Sequence, residues 1–170
     1  MYVFDATPLI YLATVDRLGV VDALPGNCRL PEAVYEEVVT AGIEAGHADA
    51  RRIEQAVEAG RFEVEPAPGT GLQERLARND NLSGADIAVL ALAAAHRGTA
   101  VLDEQYGRTA AKTEGIETRG TAFVVLNALA EGEMTASTAR ETIDDMLDVG
   151  WYCSPDLYRQ ILSKIDELAE

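Results

Sequence analysis

Short apolar runs alternate along the chain with longer stretches of helical periodicity, the pattern of a mainly parallel sheet with helices on its faces. Residues 1–4, 28–30, 99–102 and 116–118 read as strands, and the strict alternation of Phe62-Glu63-Val64-Glu65 reads as an edge strand. Between them Thr7 is placed to cap a helix with Pro8 at its first position, 17–24 forms a short helix ended by Pro25-Gly26, and Pro31 opens a helix over 32–40. Gly42 to Gly46 is expected to break that helix before another over 47–59, and a short one follows at 71–77. The strongest helical signal is 83–97: Ser83 stands as N-cap, Asp86 three residues on completes a capping box, and Gly98 is the expected stop. Helices over 104–114, 121–130, 135–148 and 155–168 complete the series. No repeat, low-complexity tract or linker interrupts it, so residues 1–170 are expected to form one domain, with the helices from about 121 onward packed on the same core.

Composition agrees with that class. At 170 residues, 48% hydrophobic and 25% charged, the chain suits one globular unit. Its longest near-apolar stretch, 87–95, is far too short to cross a bilayer, and the N-terminus has no basic start or small-residue cleavage site, so a cytoplasmic protein is expected. Cys28 and Cys153 are far apart, lack metal-ligand spacing and read as buried thiols. The net charge of −15 is unusual, and only Lys112 and Lys164 among the fourteen basic residues are lysine. Acidic excess with Arg in place of Lys is the composition of a protein that stays soluble in very high salt, which points to a halophile and, with it, an archaeal source. In molar salt the Debye length falls to about 3 Å, so the net charge does not exclude a nucleic-acid partner.

Candidate chemistry lies in four carboxylates. Asp5 and Asp103 each close a strand, and Glu37 and Asp86 lie on helical stretches able to face the same sheet edge. Each has an ordinary explanation alone: a turn, a helix-dipole contact, a solvated helix face, a cap. Together they fit the crevice outside the carboxyl ends of parallel strands, where open α/β sheets place their sites. Convergent carboxylates repel unless a cation lies between them, and all-oxygen ligands without a Cys/His set favour Mg²⁺ or Mn²⁺ over Zn²⁺. Glu36 competes with Glu37 for its place, and Glu104 with Asp103. A dehalogenase-type phosphatase would need a second Asp where Thr7 stands; a phosphoacceptor receiver would find a hydroxyl in Thr121 but no suitably placed Lys. Arg108 and Lys112 are the basic residues expected near the cleft, Trp151 and Tyr152 are assigned to packing, and His47 and His96 to surface or packing roles.

Four segments in order also carry a family resemblance: Asp5-Ala6-Thr7-Pro8-Leu9-Ile10, Pro31-Glu32-Ala33-Val34-Tyr35-Glu36-Glu37-Val38, Leu82-Ser83-Gly84-Ala85-Asp86-Ile87-Ala88-Val89-Leu90-Ala91-Leu92-Ala93 and Val101-Leu102-Asp103-Glu104. Over nearly the whole chain it resembles the PIN domain, the fold of many prokaryotic toxin nucleases and of ribosome-maturation endonucleases. The resemblance implies a three-layer α/β/α fold and a metal-dependent endoribonuclease in which Asp5, Glu37, Asp86 and Asp103 hold one or two Mg²⁺ or Mn²⁺. It further implies Thr7 as a supporting hydroxyl, Arg108 as a phosphate contact, RNA as substrate, and the toxin role of a toxin–antitoxin pair with an antitoxin protein as partner. Many members of the D-x-[ST]-P-L-I branch of stand-alone PIN-like proteins, which the chain most resembles, begin the long helix with Gly-Glu, whereas this chain has Gly84-Ala85-Asp86. That departure keeps open an inactive PIN-like protein acting as a protein- or RNA-binding module. Homodimers are frequent in such proteins; the 135–148 helix is available for that interface unless Met146 and Leu147 belong to the core.

Overall fold

The computed structural model describes all 170 residues. Strands β1 (Tyr2–Phe4), β2 (Cys28–Pro31), β3 (Phe62–Glu65), β4 (Thr99–Val101) and β5 (Glu117–Arg119) form a single sheet in the order β3-β2-β1-β4-β5, every pair parallel. As expected, β3 is an edge. Val3, Phe4, Leu30, Ala100 and Val101 are fully buried, which is why the central strands read as continuous apolar runs rather than as alternation.

The chain steps outward from β1 to β2 and β3, then crosses back to β4 on the other side of β1 and on to β5. Right-handed crossovers running in these two opposite directions put their helices on opposite faces, giving three layers. On one face α1 (Ala6–Thr14) packs with α4 (Ala48–Glu58) and α9 (Ala136–Asp148), and α8 (Thr121–Ala130) joins α9 and α10 (Pro155–Ala169). On the other, α6 (Gly84–Ala95) crosses β1, β2 and β4 and meets α5 (Gly71–Leu76) and α7 (Gln105–Thr113). One cluster of 40 buried residues runs from Val3 through Ile143, Met146 and Ile161 to Ile165, so the last three helices share the core of the sheet. Met146 is fully buried and Leu147 packs against the same core, which commits the apolar face of α9 inward. No helix is long and apolar enough to cross a membrane.

Four local expectations are corrected. Helix α1 begins earlier, with Asp5 rather than Thr7 at the N-cap, and Pro8 falls third in the helix, where its missing N–H would have had no partner in any case. The helix opened by Pro31 does not stop at Gly42. It runs as α2 (Glu32–Tyr35), a π-helical segment Glu36–Thr40 and α3 (Ala41–Glu44), with 17–24 likewise realised as a tighter 3-10 segment, Leu18–Ala23. Helix α6 ends at Ala95, and the turn beyond it is closed by Arg97, which takes the left-handed φ of 51°. Gly98 is required for a different reason: a Cβ there would stand 2.9 Å from the Met1 carbonyl oxygen, so a side chain would push β4 off the first strand.

Candidate active site at the strand C-termini

The order of the sheet reverses between β1 and β4, and that is where Asp5 and Asp103 lie. Phe4 is in register with Val101, and the Asp5 N–H donates to the Val101 carbonyl at 3.0 Å. Asp5 therefore leaves β1 at the switch point, and Asp103 leaves β4 two residues beyond its partner, at the crevice parallel sheets use for ligands. The other two carboxylates come from helices. Asp86 is third in α6, where the Ser83 N–H donates to Oδ2 at 2.8 Å and Ser83 Oγ accepts from the Asp86 N–H at 3.1 Å: the capping box read from the sequence. Glu37 stands exposed in the π-helical segment. A π turn widens the helix by one residue and turns its neighbours to a new bearing, a distortion that recurs at functional sites.

Asp5 is the electrostatic centre of the group. Only 6% exposed, its carboxyl is pushed from the ordinary 3.8 up to about 7, chiefly by burial. The neighbouring Ala6 N–H opposes that rise without forming a cap hydrogen bond of good geometry, while Asp86, Glu37 and Asp103 each add to it by repulsion. Three carboxylates thus act on Asp5, and of the two adjacent glutamates it is Glu37 whose charge reaches it. They are not drawn into a tight cage: no three of them stand close enough to grip a single ion directly.

Asp103 is held by residues that the sequence did not join to it. The Thr121 N–H donates to Oδ1 at 2.8 Å, the Thr121 hydroxyl to Oδ2 at 2.6 Å, and the Trp151 indole N–H to Oδ2 at 3.0 Å. Thr121 opens α8, so Asp103 also satisfies an orphan amide at that helix N-terminus. Thr121 is fully buried and Trp151 is 4% exposed, so both residues that donate to Asp103 sit within the core. Each carboxylate oxygen has room for about two donors. Oδ2 is filled by this pair of contacts, whereas Oδ1 keeps an acceptor site. Asp86 likewise keeps Oδ1 beside its capping contact. The set therefore offers hard oxygen donors and nothing softer, which suits a small divalent cation that retains several of its waters rather than one wholly caged by protein.

Arg108 Nε donates to the Leu102 carbonyl at 3.1 Å, which brings its guanidinium to the side of Asp103. Gly120 permits this: a Cβ there would lie 2.7 Å from Arg108 Nη2 and 2.8 Å from Asp103 Oδ1. Thr7 is second in α1, half-buried, and takes part in none of the hydrogen bonds that hold Asp86 and Asp103. Lys112 does not line the groove beside Asp103; the lysine that does is Lys164, from α10. Gly120→Ala is expected to leave the fold intact, since its φ of −99° suits any residue, while displacing Asp103 Oδ1. If Asp103 is a metal ligand, Mn²⁺ affinity measured by calorimetry should fall by about 10- to 100-fold, the usual consequence of disturbing the residues that orient such a ligand.

A three-layer α/β/α fold thus carries an acidic centre at the reversal of its parallel sheet. A family model described as a PIN domain matches residues 1–167, and the chain belongs to that family. PIN domains are generally nucleases that act on RNA or other nucleic acid and typically employ divalent metals. No curated protein matches the chain.

Proposed function

We propose that this chain is a Mg²⁺- or Mn²⁺-dependent endoribonuclease, the toxin of a toxin–antitoxin pair in the salt-rich cytoplasm of a halophilic archaeon. Asp5, Glu37, Asp86 and Asp103 are its acidic residues. The observation that carries this reading is Asp5, a buried carboxyl beset by three others. Burial and like charge both oppose its ionisation, and a bound divalent cation relieves both at once. When bound, the cation supplies a water of lowered pKa and neutralises charge gathering on the phosphate. The chain's own residues supply the geometry. Thr121 and Trp151 fix the rotation of Asp103 and leave Oδ1 with an acceptor site. Asp86 is fixed by its own capping box. Arg108, steadied by the Leu102 carbonyl, presents a planar donor fork suited to phosphate oxygens, and Thr7 offers a hydroxyl beside Asp5. A homodimer would form elsewhere than on the apolar face of α9, and an antitoxin would act by covering this centre.

A silent binding module is the second reading, favoured by the lack of three gathered carboxylates and by the hydrogen bonds already engaging Asp86 and Asp103. One experiment separates them. In molar KCl the purified chain is expected to cut single-stranded RNA with Mn²⁺, to stop on EDTA, and to resume when Mn²⁺ is restored. Calorimetry showing no Mn²⁺ binding, with intact RNA, would leave the binding module.

A further inference from the structure

Helix α9 closes in a turn that leads directly into Trp151. The Gly150 N–H donates to the Leu147 carbonyl at 3.1 Å and the Trp151 N–H to the Met146 carbonyl at 2.9 Å. Gly150 takes the left-handed φ of 106° that this Schellman closure needs, and Met146 and Trp151, the two side chains such a turn brings together, are both buried. The Gly150 carbonyl lies outside the pattern, and Tyr11 on α1 takes it: the phenol hydroxyl donates to it at 3.1 Å across 139 residues. The peptide between Gly150 and Trp151 is therefore held at both polar atoms, its N–H by α9 and its oxygen by α1. Because a peptide unit is planar, holding both atoms sets the direction in which the chain enters Trp151. The indole of that residue then donates to Asp103 Oδ2 at 3.0 Å.

We infer that Tyr11 is a positioning residue for Asp103: its hydroxyl sets the Gly150–Trp151 peptide, and through that peptide the indole that holds Oδ2. Helix α1 thereby serves both strand-end carboxylates, Asp5 at its N-cap and Asp103 by way of Tyr11. The consequence for activity rests on the nuclease reading given above; the consequence for the indole does not. A bond that merely fastened the terminal helices would be one among several. Tyr158 on α10 donates to Asp144 Oδ1 on α9 at 2.7 Å, Arg140 pairs with Asp166, and Arg17 Nε donates to Thr142 Oγ1 at 3.3 Å. None of these touches the peptide that aims the indole, and the bond from Tyr11 does.

Tyr11→Phe tests this, because it removes the hydroxyl and keeps the ring that packs on the core. Tyr158→Phe is the control, removing a comparable hydroxyl between α9 and α10. In ¹H–¹⁵N NMR of the metal-free full chain, the indole N–H of the one tryptophan should move upfield in Tyr11→Phe, as its bond to the carboxylate lengthens, and stay in place in Tyr158→Phe. With Mn²⁺, kcat on single-stranded RNA should fall by about 3- to 10-fold in Tyr11→Phe at unchanged KM, less than the roughly 10- to 100-fold typical of a residue that bonds the ligand itself. Trp151→Phe, which lacks the indole N–H, should already carry that loss, so adding Tyr11→Phe to it should cost no more than about twofold. An indole resonance unmoved by Tyr11→Phe, or moved as far by Tyr158→Phe, would overturn the inference, as would losses in kcat that multiply in the double variant. The resonance is read on a single conservative substitution, so it decides even where Trp151→Phe does not fold. A wild-type chain that cuts no RNA removes the nuclease reading, and the indole resonance then decides the inference alone.

Discussion

Asp5→Asn is expected to abolish metal-dependent RNA cleavage while making the metal-free protein more stable. On the proposed nuclease reading, loss of a charged ligand at the centre removes several kcal/mol of transition-state stabilisation, a fall of about 10³-fold in rate. The gain in stability follows from the raised pKa. Folded Asp5 keeps its proton up to about pH 7, whereas the unfolded chain loses it near the ordinary 3.8. Between these values the folded state binds the additional proton, so Asp5's favourable contribution is complete below about pH 4 and disappears as pH rises through about 7. At pH 8 the charged, buried carboxylate costs on the order of 2–4 kcal/mol. The amide has no charge to bury. In EDTA at pH 8 the variant should therefore melt roughly 5–10 °C above wild type, with the gap closing as the pH is lowered toward 4. Saturating Mn²⁺ should stabilise wild type and leave the variant unmoved. A variant that melts below wild type at pH 8 would show that Asp5 is not under strain.

The same substitution at Asp103 should also abolish cleavage, but with the opposite effect on stability. Asp103 accepts from three donors, the N–H and hydroxyl of Thr121 and the Trp151 indole. In Asp103→Asn an NH₂ group stands where one of two acceptor oxygens stood, so whichever way the new amide turns, a donor meets a donor. Leaving buried polar groups unsatisfied costs about 1–3 kcal/mol, which should lower Tm by several degrees at pH 7. Thermal melts of the two Asn variants side by side, with cleavage assays in Mn²⁺, distinguish a carboxylate held for its charge from one built into the frame. An Asp103→Asn protein as stable as wild type would remove Thr121 and Trp151 from the role of positioning it.

How far the site could be read in advance depended on the range of the interactions that make it. The strands, the capping box of Ser83 and Asp86, and the strand-end places of Asp5 and Asp103 are local patterns, and the sheet realises them. The π-helical turn at Glu36–Thr40 was invisible, because Val34 and Val38 keep an ordinary helical spacing across its start. Thr121 could be noticed only as a stray hydroxyl after a strand, and Trp151 only as core. Their bonds to Asp103 span 18 and 48 residues, and no periodicity records a contact of that separation. Lys164 was missed for the same reason: α10 brings it to the groove from the far end of the chain, while the nearer Lys112 stays outside it.

Trp151 is the sole tryptophan in the chain, and its indole N–H is bonded to Asp103 Oδ2. The molecule consequently carries its own optical reporter at the one carboxylate whose surroundings are most fully defined. Any ligand that draws charge from Asp103, or shifts the segment joining α9 to α10, alters the field on that indole, so emission from the unlabelled protein registers events at the acidic centre as they occur.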